Sequence, residues 1–516
     1  MAPQEENLIS DLTVPPERAD WYRFQGWWDR RGLADGIEAA AARRPWALAV
    51  ADNDRRLSYA DLARAMGAGV TRLAAFDALR GLILVAGNTA NGVVAYHSAL
   101  RAGVAVVVLD HRCGPADIRL ALDILPSAPV ILPAAERIRL LEGVGADVVL
   151  LEEFGEGSVN DGKWQERDRN APALVLFTSG TTGRPKGVTH SLNTLTAGAA
   201  NMARITAADE DSVLFLVSPL TSIAGIMQMH LAADCHAALV VEPHFDAEAS
   251  LDRINEVGAT ILGGAPVIAA RLLRAAEAGA RRHIALRTLA LGGAMLPRPL
   301  LELATDAFGI AIARVYGSSE APNFSGSAPE DDRERRLSDD GVLMPGSEVR
   351  VGSGEHPQEG VIRGPGVFLG YAAPEDNDGA YEDGWFRTGD LMEVFEDRVT
   401  VVGRLKEVVH RNGLKISLGE VEEALFGLPG AREHACFALP DLTTGERLVV
   451  AVCLDEGATV TLDTVVDHLV GKGLARRKLP EQLVIWDEAL PRTPSGKVVR
   501  SRLAIEAAVR RSEWAR

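Results

Sequence analysis

Short apolar runs alternate with alanine-rich segments through the first three quarters of the chain, and this alternation restricts the fold more than any other feature. The alanine-rich segments, such as 59–76 and 267–280, have the pattern of helices, and Ser58 with Asp61 gives the first a typical N-terminal cap. Strands that alternate with helices predict an α/β fold with largely parallel sheets. The apolar runs that we assign to buried strands are 82–86, 106–110, 129–132, 148–151, 173–177, 213–217, 238–241 and 288–291.

The C-terminal part of the chain departs from this alternation. Glycine and β-forming residues dominate 355–404, which predicts a small β-rich subdomain. After Gly403 the pattern changes to hairpin, helix, strand, strand and helix, and it ends in a basic segment at 491–502. We therefore predict a large N-terminal domain of several subdomains with mixed and parallel sheets at 1–405, and a small α+β domain at 406–516. Residues 329–340 are dense in charge, and we predict a solvated surface loop there.

Composition and charge restrict the class of protein. The 516 residues are 47% hydrophobic, so the chain can bury a core without disulfide or metal cross-links. The net charge of −17 argues against nonspecific binding to nucleic acid, and a polyanionic ligand would need a local positive site. The first residues are polar and acidic, and no apolar run reaches the ~20 residues of a membrane span, so we predict neither a signal peptide nor a membrane segment. The four cysteines are scattered without a C-x-x-C pair, as in the reducing cytoplasm, where we expect this protein to act.

Residues 178–188, TSGTTGRPKGV, carry the clearest chemical signature. They follow the apolar run at 173–177, so the loop lies at the carboxyl end of a predicted strand, where α/β sheets bind ligands. Glycines and hydroxyl residues can turn several N–H groups toward one anion, and Lys186 adds a positive charge. A Walker A loop would need G-x-x-x-x-G-K-[ST], whereas Gly180 and Gly183 are three apart and Lys186 is followed by Gly187. We therefore predict a nucleotide phosphate site unlike that of a P-loop ATPase.

Four further motifs follow this loop. They are YGSSE at 316–320, WFRTGD at 385–390, GRLKE at 403–407 with its continuation GLKIS at 413–417, and PRTPSGK at 491–497. Together the five motifs resemble those of the adenylate-forming superfamily, which includes acyl-CoA synthetases, nonribosomal peptide adenylation domains and firefly luciferase. The resemblance spans nearly the whole chain. The opening at 22–28, YRFQGWW, is similar to the start of the aryl-acid and acyl-CoA ligase branch.

The resemblance implies a two-step reaction. A carboxylate attacks the α-phosphorus of ATP to give an acyl-AMP and pyrophosphate, and a thiol, usually that of CoA, then displaces AMP to give a thioester. The implied small molecules are therefore ATP, Mg²⁺, CoA and a carboxylic acid. The small C-terminal domain of the family is mobile and rotates between the two steps. Lys406 matches the hinge position, and Gly413 matches the position that lets the pantetheine arm of CoA pass.

The same resemblance assigns roles around the nucleotide. Lys497 is expected at the junction of the carboxylate and the α-phosphate, Lys186 beside the β- and γ-phosphates, and Glu320 on Mg²⁺. These three are the predicted catalytic residues. Tyr316 is expected to stack on adenine, and Asp390 to accept hydrogen bonds from the ribose. The predicted ATP- and AMP-binding residues are Thr178, Ser179, Gly180, Thr181, Thr182, Gly293, Ala294, Tyr316, Gly317, Ser318, Ser319, Asp390 and Arg404.

The acyl pocket is predicted less sharply than the nucleotide site. Many relatives carry an aromatic residue and a histidine where this chain has Thr221 and Ser222. Two small residues indicate either a roomier pocket or compensation by a bulky neighbour such as Met227 or Met229. We find no charged residue to pair with the ammonium of an amino acid, so an apolar or aromatic acid is the expected substrate. The predicted pocket residues are Ser222, Gly225, Ala265, Gly292 and Gly317.

The leading functional hypothesis is an ATP-dependent acyl-CoA ligase for a hydrophobic carboxylic acid. Two alternatives remain open at this point. One is a stand-alone adenylating enzyme that loads an acyl carrier protein, and the other is a member that performs only one half-reaction. A phosphotransferase kinase is disfavoured because the Walker A arrangement of lysine and Ser/Thr is missing.

Overall fold

The computed structural model describes residues 8–9, 11–28, 33–76, 79–157, 159, 168–178, 184–278, 283–294, 296–328, 330–412, 414–493 and 496–515. The strands in these ranges are β1 (Leu48–Ala51), β2 (Arg56–Ser58), β3 (Gly81–Ala86), β4 (Ala105–Asp110), β5 (Val130–Leu132), β6 (Val148–Leu150), β7 (Pro172–Thr178), β8 (Lys186–Ser191), β9 (Val213–Leu216), β10 (Ala238–Val241), β11 (Ile261–Gly264), β12 (Thr288–Gly292), β13 (Ala311–Tyr316), β14 (Ser325–Gly326), β15 (Val342–Leu343), β16 (Glu348–Val351), β17 (Glu359–Arg363), β18 (Gly370–Tyr371), β19 (Tyr381–Glu382), β20 (Trp385–Phe395), β21 (Arg398–Arg404), β22 (Val408–Arg411), β23 (Leu414–Ser417), β24 (Ala431–Asp441), β25 (Gly445–Leu454), β26 (Gln482–Trp486) and β27 (Ser512–Trp514).

The helices lie mostly between these strands. The α-helices are α1 (Pro16–Phe24), α2 (Leu33–Arg43), α3 (Tyr59–Leu73), α4 (Ala90–Arg101), α5 (Pro115–Ile124), α6 (Arg137–Leu140), α7 (Leu192–Thr206), α8 (Ile223–Cys235), α9 (Ala247–Val257), α10 (Pro266–Ala278), α11 (Arg298–Glu302), α12 (Arg333–Ser338), α13 (Leu418–Ala424), α14 (Leu462–Gly471) and α15 (Arg500–Glu506). Shorter 3₁₀ or π turns are Ala134–Glu136, Leu151–Glu153, Leu303–Ala307, Pro374–Asn377, Arg476–Lys478 and Ala507–Val509. Among the described helices, none is long and apolar enough to span a bilayer.

The strands form three sheets. The first has fourteen strands in the order β16-β17-β20-β21-β15-β14-β13-β12-β11-β9-β10-β1-β2, with β19 beside β20. Strands β1, β10, β9, β11, β12 and β13 run parallel to one another. From β14 onward the strands pair antiparallel. The second has seven strands in the order β18-β8-β7-β4-β3-β5-β6, and the third has six strands, all after residue 407. The prediction of an α/β fold with mixed and parallel sheets is confirmed.

The predicted elements agree closely with the observed ones. Each of the eight apolar runs is a strand, β3–β7, β9, β10 or β12, with bounds within one residue of those predicted. Ser58 caps α3 as expected: its hydroxyl accepts from the Asp61 N–H, and the Asp61 carboxylate accepts from the Ser58 N–H. This helix ends at Leu73 rather than at residue 76, because the N–H of Phe76 bonds back to Leu73 in a tighter turn.

Helices α3, α4, α7 and α8 lie between the first and second sheets. One core contains residues of both sheets together with residues of these four helices. Consequently α4 is buried on all sides, with only Asn91 of residues 90–100 outside the buried set. A helix that is apolar all round is expected in such a position. Helices α9–α11 cover the outer face of the first sheet, and α5 and α6 cover that of the second.

The charged segment at 330–340 lies largely at the surface, as predicted, with residues 332–335 exposed, but it is not a loop throughout. Part of it forms α12, capped by the Asp332 carboxylate, which accepts from the Arg335 N–H. Asp331 is buried and pairs with Arg398, whose guanidinium also binds Asp339. The ion pairs of Asp331 and Asp339 could not be predicted locally, because their partner, Arg398, lies far along the chain.

The C-terminal part contains its own sheet and cores. The predicted order of hairpin, helix, strand, strand and helix corresponds to β22, β23, α13, β24, β25 and α14, and β26, α15 and β27 follow. Helices α13 and α14 pack on one face of this sheet, and α15 packs on the other. A division of the chain at 405/406 remains a prediction.

Candidate active site

Asp390 and Arg404 form a charged pair in the candidate site. They face each other across β20 and β21, which places the Arg404 Nε 2.7 Å from the Asp390 Oδ1. The Tyr316 hydroxyl, at the end of β13, donates to Asp390 Oδ2 at 2.8 Å. Burial raises the pKa of Asp390 above its ordinary value, while Arg404 and Tyr316 act to lower it. The carboxylate is therefore desolvated and held in place by two groups.

Lys497 adds a second positive charge near the pair of Asp390 and Arg404. Burial and then the positive charge of Arg404 lower its pKa below the ordinary value. The carboxylates of Asp390, Glu407 and Glu320 act in the opposite direction. Within the described part of the chain, the Lys497 ammonium has no hydrogen bond or ion pair of its own. The residue is exposed, so its ammonium is an accessible cation without a direct partner, as expected of a group that meets an anionic ligand.

The loop that carries Lys497 reaches the carboxyl ends of the parallel strands. A Cβ atom at Gly293, just beyond β12, would lie 3.7 Å from Lys497 Cε. A Cβ atom at Gly496 would lie 3.9 Å from the Ala265 Cβ, just beyond β11. Within the loop, the Thr493 N–H donates to the Lys497 carbonyl at 2.7 Å, and the Lys497 N–H donates to Thr493 Oγ1 at 3.1 Å. The C-terminal segment therefore closes over the edge where the predicted nucleotide residues lie.

Glu320 sits in a turn after β13 that several contacts hold in place. Ser318 Oγ accepts from the N–H groups of Glu320 and Ala321, each at 3.2 Å. The Tyr371 hydroxyl donates to Glu320 Oε1 at 2.8 Å. His190 Nε2 lies 2.8 Å from the Ser319 carbonyl, and burial lowers the pKa of this histidine to about 4. His190 is therefore neutral near pH 7 and donates to that carbonyl.

Lys186 lies on the other side of Tyr371. Its ammonium is 4.6 Å from the Tyr371 ring centroid and 3.4 Å from Asp376 Oδ1. It begins β8 and pairs with Thr178 at the end of β7. One tyrosine thus contacts both the predicted phosphate lysine and the predicted metal carboxylate. The predicted phosphate contacts of Ser179, Gly180, Thr181 and Thr182 lie outside the described residues.

The sequence analysis did not identify Tyr371 or His190. Tyr371 reaches Glu320 because β18 pairs with β8, opposite Val188, and this pairing joins segments far apart in the chain. His190 follows the phosphate loop on β8, and its position close to a motif is the only signal that could have indicated a role. Neither contact could be predicted from spacing alone.

The predicted acyl-pocket glycines are constrained by their own backbone surroundings. A Cβ atom at Gly225 would lie 2.2 Å from the Pro219 carbonyl oxygen, and one at Gly292 would lie 2.1 Å from the Val315 carbonyl oxygen. At Gly317 the nearest atom, the Ala321 carbonyl oxygen, would be 2.7 Å away. Ser222 caps α8, where its hydroxyl accepts from the Gly225 N–H at 3.2 Å. Close packing is thus one reason for these small residues, and their part in a pocket stays a prediction.

Lys406 lies in the turn between β21 and β22, next to Glu407. Glu407 pairs with Arg500 of α15 at 3.0 Å, and Arg500 also binds Glu422 of α13. These ion pairs tie the residue after the predicted hinge to the C-terminal part. Gly413, the predicted CoA position, lies outside the described residues.

Comparison with known proteins places this geometry in a family. The model of the AMP-binding enzyme family matches residues 37–372, and that of the AMP-binding enzyme C-terminal domain matches residues 420–497. The chain is 29% identical to indoleacetate–CoA ligase of Aromatoleum aromaticum, over 90% of this chain and 96% of the relative. It is 30% identical to salicyl-AMP ligase / salicyl-S-ArCP synthetase of Mycobacterium tuberculosis, over 94% of this chain and 93% of the relative.

Solved structures agree with this assignment. The crystal structure of ATP-bound MatB from Rhodopseudomonas palustris superposes with a TM-score of 0.82 at 25% identity, over 93% of this chain and 100% of that one. The five motifs predicted the same family. The first matched region includes the phosphate loop, and the second ends at Lys497. The chain therefore belongs to the AMP-binding enzyme family, within the adenylate-forming superfamily.

Proposed function

We propose that the protein is an acid–thiol ligase that activates a hydrophobic carboxylic acid with ATP and transfers the acyl group to CoA. The unpaired Lys497 ammonium, which is coupled to Asp390 and Arg404 and lies at the ends of β11 and β12, is the observation that supports this most strongly. Joining a carboxylate to a triphosphate brings two anions together, so the first step needs a positive charge where they meet. Lys497 supplies that charge.

Other residues have complementary roles in this proposal. Asp390 accepts hydrogen bonds from the ribose, and Arg404 holds the Asp390 carboxylate ionised. Tyr316 stacks on one face of adenine, and Gly293 and Ala294 form the wall on its other face. Gly317, Ser318 and Ser319 also bind the nucleotide. Lys186 moves from Asp376 to the β- and γ-phosphates when the nucleotide binds.

The donor set fits the Mg²⁺ that this chemistry uses. Hard Mg²⁺ takes one or two carboxylates together with phosphate oxygens, and in the described chain no group of three or more His, Cys, Asp or Glu forms an all-protein metal cage. Glu320 would hold the ion, which would neutralise phosphate charge. The Tyr371 hydroxyl fixes one carboxylate oxygen of Glu320 and leaves the other available.

The test is ATP–pyrophosphate exchange with a panel of carboxylic acids, followed by mass detection of CoA thioesters. We expect exchange that depends on both the acid and Mg²⁺, and a thioester with CoA from the same acid. No acid-dependent exchange across apolar, aromatic and dicarboxylic acids would contradict the proposal.

A second candidate acceptor is a carrier protein. The similarity to salicyl-AMP ligase / salicyl-S-ArCP synthetase supports this alternative, because that relative loads a carrier protein. The thiol is pantetheine in both cases, so the Gly413 position cannot separate them. Parallel incubation of the acyl-AMP with CoA and with acyl carrier proteins separates the two acceptors, and formation of acyl-AMP without either thioester would indicate a single half-reaction. We place the reaction in the cytoplasm, where the four free cysteines would stay reduced.

A further inference from the structure

Arg492 lies at the base of the loop that carries Lys497. Arg492 and Val498 form an antiparallel bridge, and the Thr493 N–H donates to the Lys497 carbonyl at 2.7 Å. The segment that enters the loop and the segment that leaves it therefore run side by side. The position of Lys497 depends on how this short pair of segments is held.

The peptide group between Gly496 and Lys497 is held at both of its polar atoms. Arg492 Nη1 donates to the Gly496 carbonyl at 2.8 Å, and the Lys497 N–H donates to Thr493 Oγ1 at 3.1 Å. A peptide group is planar, so contacts to its oxygen and to its N–H fix its orientation. Gly496 has a φ of +86°, in the left-handed region, and a glycine without these contacts could adopt many other backbone conformations. Arg492 therefore helps to set the direction in which the Lys497 side chain leaves the backbone.

The other side of the same guanidinium is anchored to the C-terminal sheet. Arg492 Nη2 donates to Glu433 Oε2 at 3.1 Å, and Glu433 belongs to β24. The two side chains are only 26% and 23% exposed, so the pair is partly shielded from solvent. A planar guanidinium can bridge two acceptors in a fixed geometry, which a lysine ammonium on a flexible stem does less well. Arg492 thus connects the peptide before Lys497 to a strand of the sheet.

The Lys497 side chain has little other support. The residue is exposed, and its ammonium has no hydrogen bond or ion pair of its own in the described part of the chain. A long side chain without contacts keeps its rotamer freedom, so its placement relies on the backbone that carries it. A reacting group that is displaced by ~1 Å can lose ~10²-fold in rate. Small changes in the orientation of the peptide before Lys497 should therefore affect the reaction.

From these contacts we infer that Arg492 is a positioning residue for the adenylation step. Its guanidinium holds the peptide between Gly496 and Lys497 against Glu433, so that the Lys497 ammonium meets the junction of carboxylate and α-phosphate. Arg492 acts through Lys497 and contacts no substrate in this assignment. The inference rests on the proposed function, because it assumes that Lys497 serves that junction.

Arg492→Met removes both hydrogen bonds and keeps an unbranched side chain. With an acid that supports exchange in the wild type, we expect kcat for ATP–pyrophosphate exchange to fall ~10- to 10²-fold, because Lys497 is misplaced. KM for ATP and for the acid should stay within about threefold, since the binding contacts remain. Thioester formation from synthetic acyl-AMP and CoA should also change less than about threefold, which shows that the variant is folded.

Arg502→Met is the matched control for this variant. The Arg502 side chain pairs with Glu506 of the same helix, α15, and is 62% exposed. Its loss removes an arginine and an ion pair from the same C-terminal segment without removing a bond to the Lys497 loop. Exchange should be unchanged.

A double substitution separates positioning from a general structural role. If Arg492 acts through Lys497, Arg492→Met should lower exchange by less than about twofold in the Lys497→Met background, because the group that it positions is gone. A structural role would give the same fold loss in both backgrounds. Glu433→Gln weakens the anchor of Arg492 and should show the same pattern with a smaller loss of about threefold. This second variant decides the question if Arg492→Met does not fold.

The outcomes are distinct. Wild-type exchange in Arg492→Met, equal losses in the two half-reactions, or equal fold losses in the two backgrounds would overturn the inference and leave the proposed function intact. Absence of acid-dependent exchange in the wild type would overturn the proposed function, and the inference with it.

Discussion

Lys497 and Lys186 are both predicted to meet the triphosphate, and their surroundings differ. Lys497 is exposed, has no direct partner in the described chain, and has a pKa lowered by desolvation and by Arg404. Lys186 is half-buried and already occupied, with Asp376 at 3.4 Å and the Tyr371 ring at 4.6 Å. The first charge is free to meet a ligand at once, whereas the second must leave a carboxylate to reach one.

The difference indicates how the two charges contribute. A desolvated, positioned cation costs no reorganisation when charge develops beside it, so it acts on the transition state. A cation that exchanges one carboxylate for a phosphate gains less, and it contributes mainly to binding. Lys497 should therefore control the rate of adenylation, and Lys186 the affinity for ATP.

Replacement of Lys497 should give the largest effect. We expect Lys497→Met to lower acid-dependent ATP–pyrophosphate exchange ~10²–10³-fold, mainly in kcat, because the transition state loses its positive charge. Lys186→Met should act mainly on KM for ATP and lower kcat less. Lys472→Met, at an exposed lysine of the same C-terminal part, is the control and should be silent. A larger kcat effect at Lys186 than at Lys497 would reverse the comparison.

The lowered pKa of Lys497 predicts a pH dependence. The ammonium is the active form, and its pKa lies below the ordinary lysine value. The exchange rate should therefore begin to fall at a lower pH than that at which a free lysine side chain loses its proton. Beyond that pKa the rate should drop ~10-fold per pH unit. Lys497→Arg, which stays protonated, should lose this alkaline fall whatever its absolute rate. An identical alkaline fall in the arginine variant would assign it to another group.

Tyr371 contacts both Glu320 and Lys186, so a substitution there can separate the two contacts. Tyr371→Phe removes the hydrogen bond to Glu320 Oε1 but keeps the ring beside Lys186. We expect the variant to bind Mn²⁺ ~10-fold more weakly in the presence of an unreactive ATP analogue, because partners of a metal-binding carboxylate tune its affinity for the metal. Electron paramagnetic resonance measures the bound Mn²⁺. Excess Mg²⁺ should restore exchange.

The matched control for that experiment lies in the same aromatic cluster. Tyr381 stacks on Phe368, next to Tyr371, and Tyr381→Phe removes a hydroxyl without touching the Glu320 contact. It should bind Mn²⁺ as the wild type does. Equal weakening in both variants would show a packing effect rather than orientation of Glu320.

Release of Lys186 should give the smallest effect. Asp376→Asn removes the carboxylate that holds the lysine in the absence of a ligand. We expect KM for ATP to decrease about threefold with kcat nearly unchanged, since a partly exposed ion pair is worth ~0.2–1 kcal/mol. Titration of ATP at a saturating acid concentration measures this. An increased KM would mean that Asp376 orients Lys186 toward the phosphates instead.

Much of the fold could be predicted because its determinants are local. The strands of the parallel sheets are apolar runs that need no partner to be identified, and the cap of α3 is formed by Ser58 and Asp61, three residues apart. In the segment at 330–340 the surface position could be predicted, but the ion pairs of Asp331 and Asp339 could not, because they depend on the distant Arg398.

The site residues likewise divide into those that the local sequence could predict and those that it could not. Asp390, Arg404, Glu320 and Lys497 lie in recognisable motifs, and their charges act on one another in the structure. Tyr371 lies outside those motifs, and its significance comes from its hydrogen bond to one carboxylate oxygen of Glu320. Such contacts depend on tertiary packing between distant segments, so spacing in the sequence carries no sign of them.

The most direct test of the central claim compares the two half-reactions in Lys497→Met. Acyl-AMP formation from acid and ATP is measured in one assay, and thioester formation from synthetic acyl-AMP and CoA in the other. If the Lys497 charge serves the junction of carboxylate and α-phosphate, the first rate falls ~10²–10³-fold and the second changes less than about threefold. Equal losses in the two assays would contradict this account.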